Sequence, residues 1–203
     1  MPRPATYDAE TRDALLRAAG RILAEEGATM LTVRHLAAEV GATTSAIYAL
    51  FGSKLGVVRS MYRAGFEHLA VRLGEVSEQD PLVRIHALGN AYRQAALDRP
   101  HLYQVMFACP VPGFVPNDED GALASSTLMV LHRAVESALA SGAMRGEAES
   151  LTVGLWAIVH GLASLELIGQ LGPPATADIV WDTTLDAAIV GLTIERDTPS
   201  TPG

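Results

Sequence analysis

Residues 32–54 read TVRHLAAEVGATTSAIYALFGSK. They decide the fold, because they hold two short helical patterns and a tight turn in too few residues for anything but a helix-turn-helix. Val33, Leu36, Ala37 and Val40 recur at i, i+3, i+4 and i+7, which gives one apolar helix face. Gly41 supplies the permissive backbone that a sharp turn demands. A second helix must start at once, with Thr43 or Thr44 accepting a hydrogen bond from N–H groups two or three residues on. Ala46, Ile47, Leu50 and Phe51 form its buried side, leaving Thr44, Ser45 and Tyr48 on the polar one. Two helices so joined cross steeply, and the second projects as a rod that fits a DNA major groove. The plainer reading, a helical hairpin of an ordinary all-α core, leaves the exposed cluster Thr43, Thr44, Ser45, Tyr48 and Lys54 without a purpose.

Upstream, a first helix starts near Asp8, carries Leu15, Ala19, Ile22 and Leu23 as its core stripe, and ends at Gly27. Met1 to Tyr7, with two prolines, reads as a loose tail, although Arg3 could reach a minor groove. Downstream, Ser53 caps a long fourth helix with Leu55, Val58, Tyr62, Phe66, Leu69 and Leu73 on one series. Its N-terminus lies beside the recognition helix, so its free N–H groups and Lys54 can hold a phosphate. Asp80-Pro81 opens a fifth helix that runs to about Asp98, and Arg99-Pro100 stops it. HLYQVMF, residues 101–107, makes two helical turns, with His101 exposed at the start. A proline-rich loop with Cys109 follows. The seventh helix spans about Asp118 to Ala140, with Leu123, Leu128, Leu131, Val135 and Leu139 inward.

The eighth helix, about Glu147 to Gln170, is apolar enough to suggest a membrane span, but His160, Glu166 and Gln170 interrupt it and no Lys or Arg brackets it. A ninth helix follows Pro173-Pro174, with Trp181, Leu185, Ala188, Ile189 and Leu192 on one stripe. Helices eight and nine carry more apolar surface than one small bundle needs, so a homodimer with a four-helix interface is expected. No strand pattern or repeat appears. The expected fold is all-α, a three-helix head joined to a bundle of about six helices. The domains run 1–52 for the DNA-binding head and 53–196 for ligand binding and dimerisation, with a disordered tail at 197–203.

The 203 residues can bury a sizeable core, and the single cysteine excludes an internal disulfide or a cysteine-based zinc site. No signal segment opens the chain, so a cytoplasmic protein is expected. The net charge of −8 is unevenly spread. Residues 1–63 carry eight Lys or Arg against six Asp or Glu, a net of +2; the other 140 carry seven against seventeen, a net of −10. A faintly basic head on an acidic body suits a chain whose head alone meets phosphate. So weak a charge implies few phosphate contacts, with hydroxyls, backbone N–H groups and bases taking a larger share.

The helix-turn-helix ending in Tyr48, Phe51, Ser53 and Lys54, preceded by Ala18, Ala19, Ile22, Leu23, Gly27, Leu31, Thr32 and Val33, resembles the TetR family of one-component bacterial regulators over roughly residues 8–70. The resemblance implies phosphate contacts at Thr43, Tyr48 and Lys54. Thr32 can offer its hydroxyl and N–H to a further phosphate, while Thr44, Ser45 and Ala49 face base edges. The chain departs from the family where Ser45 replaces a common glycine, and where Ala49-Leu50 replaces an aromatic-histidine pair. Ala49 can pack on a thymine methyl, but nothing on this helix grips guanine as an arginine would. Trp156, His160 and Gly161, with RPHLYQVMF at 99–107, resemble a Trp-His-Gly (WHG) type of C-terminal ligand-binding domain found on TetR regulators.

Catalysis has little support: there is no di-iron or zinc motif, no phosphate-cradling glycine loop and no nucleophile elbow. No catalytic residue, metal ligand or cofactor is expected. His160 reads either as a polar anchor inside an effector pocket or as a core histidine. Trp156, one turn earlier on the same face, and Tyr103, Met106 and Phe107 suit packing or a pocket wall equally. Cys109 would serve as a thiol sensor only with a basic neighbour to lower its pKa, and it has none in sequence. The expectation is therefore a dimeric, ligand-responsive repressor. Its partners are a double-stranded palindromic DNA operator and a mostly apolar small organic effector contacted by Tyr103, Phe107, Trp156 and His160. An activator, a constitutive DNA-binding protein and a helical small-molecule enzyme are the alternatives.

Overall fold

The structure, a computed structural model, describes residues 9–108 and 111–193. The expectations for Arg3 and the N-terminal tail, for Cys109 and for the tail from residue 197 fall outside those residues. Among the described residues there are nine α-helices and no strand: α1 (Ala9–Glu25), α2 (Val33–Glu39), α3 (Thr44–Phe51), α4 (Lys54–Gly74), α5 (Pro81–Asp98), α6 (Pro100–Ala108), α7 (Asp118–Ala140), α8 (Ala148–Leu167) and α9 (Pro174–Thr193). The breaks have local causes. Gly27, Gly41 and Gly52 sit at φ of 88°, 65° and 73°, a region costly for any residue with a Cβ. Asp80 caps α5 by accepting from the N–H groups of Leu82 and Val83, and Glu147 caps α8 by accepting from Glu149 and Ser150. α8 stops short of Gln170 because Gly169 takes a φ of 74°.

The chain divides into two compact units: Met1–His68 with Arg99–Ala124, and Leu69–Asp98 with Ser125–Gly203. In the first, Leu15, Leu16, Ala18, Ala19 and Ile22 of α1 pack with Leu31, Leu36, Ala37, Ala46 and Ile47 as the core of the head. Val57, Val58, Met61, Tyr62 and Phe66 of α4 join Leu102, Tyr103, Val105 and Met106 of α6 in being buried. Leu55, expected on this stripe, is exposed, because the buried face of α4 begins at Val57. A Cβ on Gly65 would stand 2.5 Å from the Met106 sulfur, so a glycine is what lets α4 and α6 approach.

His101, expected in water, is half-buried: its ring fills the notch that Gly20 leaves on α1, where a Cβ would stand 2.6 Å from the ring's Cγ. Arg17 and Arg21 flank Gly20 on α1, and Arg99 lies two residues before the imidazole. Burial and then these three cations hold the His101 pKa below its usual value.

The core of the second unit is formed by Ile85, Leu88 and Tyr92 of α5, Leu155, Val159 and Leu162 of α8, and Trp181, Leu185 and Ile189 of α9. Gly89 lets α5 meet Leu185 and Val159 closely. The α9 stripe expected at a dimer interface therefore lies inside its own unit; Ile189 is only 8% exposed. Of the α7 residues expected inward, Val135 is buried, while Leu123, Leu128, Leu131 and Leu139 are half-buried. Thr127, Ala134 and Ala138 complete the buried face.

Candidate nucleic-acid interface

Thr32 is the N-cap of α2, its hydroxyl oxygen accepting from the His35 N–H at 3.1 Å. Thr43 caps α3 in the same way, accepting from Ala46 at 3.1 Å. Each hydroxyl accepts one bond from its own helix and keeps its O–H to donate outward, which suits a phosphate oxygen. The buried side of α3 is Ala46, Ile47 and Phe51, as expected, with Leu50 half-buried. Thr32, Thr43, Thr44, Ser45, Tyr48 and Ala49 are all exposed, and Tyr48 leaves 56% of its surface in water. The six thus fall at the start of α2 and along one side of α3, a hydroxyl-rich face with one methyl at Ala49.

Lys54 differs from these six. It is half-buried, and its ammonium donates to the Ala28 carbonyl at 2.8 Å, across the turn that follows α1. Other cations of the first unit are also committed. Arg21 pairs with Glu39 at 3.3 Å. Arg59 and Arg63, one turn apart on α4, both meet Asp120 at the start of α7, at 2.9 and 3.4 Å. Asp120 has no exposed side-chain surface and also accepts from the Asn117 N–H, while Asn117 accepts from the Asp120 N–H, a reciprocal cap of α7. Arg12 lies over the Phe51 ring. Among the described residues of the head, Arg17 and Arg34 make no hydrogen bond or ion pair. Arg34 sits on the exposed side of α2, two residues after the Thr32 cap. The sequence reading missed it, although the absence of a carboxylate three or four positions away was legible.

The expected effector residues fall into two groups. Tyr103 is buried in the first unit and packs on Phe107, which meets Phe66 edge-on at 5.8 Å between ring centres. His160, in the second unit, is half-buried beside Trp156, and its Nδ1 shares a 3.1 Å hydrogen bond with the Tyr92 hydroxyl. Burial lowers the His160 pKa, so the ring is neutral at neutral pH. The anchor-or-core alternative thus acquires a third element, a tyrosine partner 68 positions away that local sequence could not show.

Comparison with known proteins agrees with this geometry. A profile described as bacterial regulatory proteins of the tetR family matches residues 15–61. One described as a tetracyclin repressor-like C-terminal domain matches residues 85–188, just over half of the chain. The HTH-type transcriptional regulator Rv1816 of Mycobacterium tuberculosis (strain ATCC 25618 / H37Rv) is 24% identical over 198 residues, covering 80% of this chain and 83% of that protein. A Rhodococcus sp. RHA1 protein described as of unknown function has a similar structure, with a TM-score of 0.77 at 26% identity over 95% of this chain and 100% of that one. The TetR family transcriptional regulator PfmR of Thermus thermophilus shares the fold, with a TM-score of 0.73 at 18% identity over 92% and 98%. With a helix-turn-helix presenting a hydroxyl-rich face, and family profiles over both its head and its helical body, the chain belongs to the TetR family of DNA-binding transcriptional regulators, which are not enzymes.

Proposed function

We propose that this regulator is a cytoplasmic, dimeric repressor that leaves a palindromic operator when a small, mostly apolar organic effector binds its body. The observation that carries the reading is the exposed face formed by Thr32, Thr43, Thr44, Ser45, Tyr48 and Ala49. The Thr32 and Thr43 hydroxyls and the Tyr48 phenol serve phosphates at its edges, while Thr44, Ser45 and Ala49 meet bases. Arg34 is added to the phosphate contacts, since it is an exposed, uncommitted cation in the first turn of α2, next to the Thr32 cap.

Support for a dimer comes from α8 and α9. Val153, Ala157 and Leu165 are exposed at spacings of four and eight on α8, with Ile168 beyond, and Ile179 and Val190 are exposed on α9. These, and not Trp181 or Ile189, are the residues proposed to face a second copy. By length and composition α8 would also pass for a membrane span. A helix of a cytoplasmic body is the better account, because Glu166 takes both oxygens to the buried Arg93 and accepts from the Trp181 indole N–H as well.

Effector contacts are proposed at Trp156 and His160 in the second unit and at Tyr103 and Phe107 in the first. An indole beside a neutral imidazole, as at Trp156 and His160, favours a neutral or cationic organic molecule over a multiply charged anion. Release needs differential affinity: about 5.5 kcal/mol in favour of the DNA-free state swings the balance from 1:99 to 99:1. The test is a release screen, in which a fluorescent duplex bound by the chain is challenged with a panel of apolar and anionic small molecules. Release by apolar members, lost in Trp156→Leu or His160→Leu, supports the reading. Both variants responding like the parent would make these residues core, and release by anions alone would refute the apolar effector.

A further inference from the structure

The corner between α3 and α4 is built from three adjoining devices. Gly52 takes a left-handed turn while its N–H donates to the Tyr48 carbonyl at 2.9 Å. Ser53 accepts from the Gly56 N–H at 3.0 Å and so opens α4. At Gly56 itself there is no room for a side chain: a Cβ would collide with the Phe51 carbonyl oxygen and stand 2.9 Å from its carbon. Backbone of α3 therefore rests directly on the first turn of α4.

Lys54 fastens the same corner from the other side. α1 ends at Glu25 with no basic residue in its last turn, and its C-terminal carbonyls give that end a partial negative charge. The half-buried Lys54 ammonium donates to the Ala28 carbonyl at 2.8 Å, three residues beyond that end. A cation from α4 thus ties down the turn that follows α1, while Gly56 seats the end of α3.

We infer that Lys54 and Gly56 are positioning residues for the recognition helix, and that Lys54 does its work through Ala28 rather than on a DNA phosphate. The inference rests on the family's DNA binding, and the two can fail separately. The probe is a duplex selected from a random-sequence pool by the full-length chain; if the chain selects no duplex, DNA binding fails and the positioning role fails with it.

On the selected duplex, Lys54→Met and Gly56→Ala should each weaken binding about tenfold or more. Both should leave the slope of log affinity against log salt unchanged, because no phosphate contact has been removed. A slope that falls by about 0.9 for each head in Lys54→Met would mark a phosphate contact and overturn the inference. So would unchanged affinity in Gly56→Ala.

Should a variant not fold, the parent decides. Lys54 is the only lysine in the chain, so protein carrying 15N-lysine gives one side-chain ammonium signal. That signal should be visible without DNA, held by Ala28, and should stay in place when duplex is added. A signal that appears or moves only with DNA contradicts the positioning role.

Discussion

Glu166 reads in the sequence as an interruption of an apolar run, and its meaning emerges only in the fold. It forms a two-pronged pair with Arg93 of α5 at 2.9 and 2.6 Å and accepts from the Trp181 indole at 2.7 Å; Arg93 reaches Asp178 at 2.7 Å as well. Removing one partner of a buried pair strands the other, whereas an apolar replacement of both avoids desolvating either. Glu166→Leu should therefore cost about 3 kcal/mol in urea denaturation, and adding Arg93→Met should recover much of that loss.

His101 makes a second prediction at this scale. Its folded pKa lies below the ordinary value, so the neutral ring is the form the fold favours. The stability it contributes is complete above the ordinary histidine value near 6.5 and is lost as pH falls below it towards the folded pKa. Melting temperature should drop on acidification through that window, and His101→Gln should blunt the drop. His160 is shifted the same way, by burial, so His160→Gln in parallel separates the two contributions. A His101→Gln profile identical to the parent's would remove His101 from the account.

Most helices were legible because their ends are written locally: Asp80-Pro81, Ser53, Gly27 and Gly52 each act on a neighbour a few positions away. Thr43 was open against Thr44 as the α3 cap, and the structure assigns Thr43. What sequence missed depends on distant pairing. Gly20 is an ordinary helical glycine until His101 lies on it, and Arg59 and Arg63 look like free head cations until Asp120, more than fifty positions on, neutralises them. Helix faces suffer similarly on α9, where a stripe of Trp181, Leu185 and Ile189 reads as surplus apolar area but is the unit's own core. Ile189→Ala should accordingly destabilise by about 2–5 kcal/mol in urea denaturation. Leu165→Glu, at an exposed α8 position, should leave helix content intact yet convert dimer to monomer in sedimentation. A folded Leu165→Glu dimer would move the interface elsewhere.

For the molecule as a whole, the charge asymmetry shrinks once pairs are assigned. A head of net +2 loses Arg59 and Arg63 to Asp120 and Glu119, and Arg21 to Glu39. DNA affinity should therefore depend only shallowly on salt, and Arg34→Ala should reduce the slope by about 0.9 for each head. The family and the two-helix contact were legible in residues 32–54, since their spacing is local. The effector residues were not resolved to one role, and their partners, Tyr92 for His160 and Phe66 for Phe107, lie on other helices where local sequence could not show them.

The central claim is that one exposed side of α3 reads DNA, and selection from a random duplex pool tests it most directly, with the parent and Thr44→Ala run side by side. The parent should enrich an inverted repeat whose half-sites sit about 10 base pairs apart or a multiple of that, and Thr44→Ala should enrich a repeat altered at matching positions in both halves. A parent that enriches nothing over the starting pool, or a variant with an unchanged preference, would contradict it.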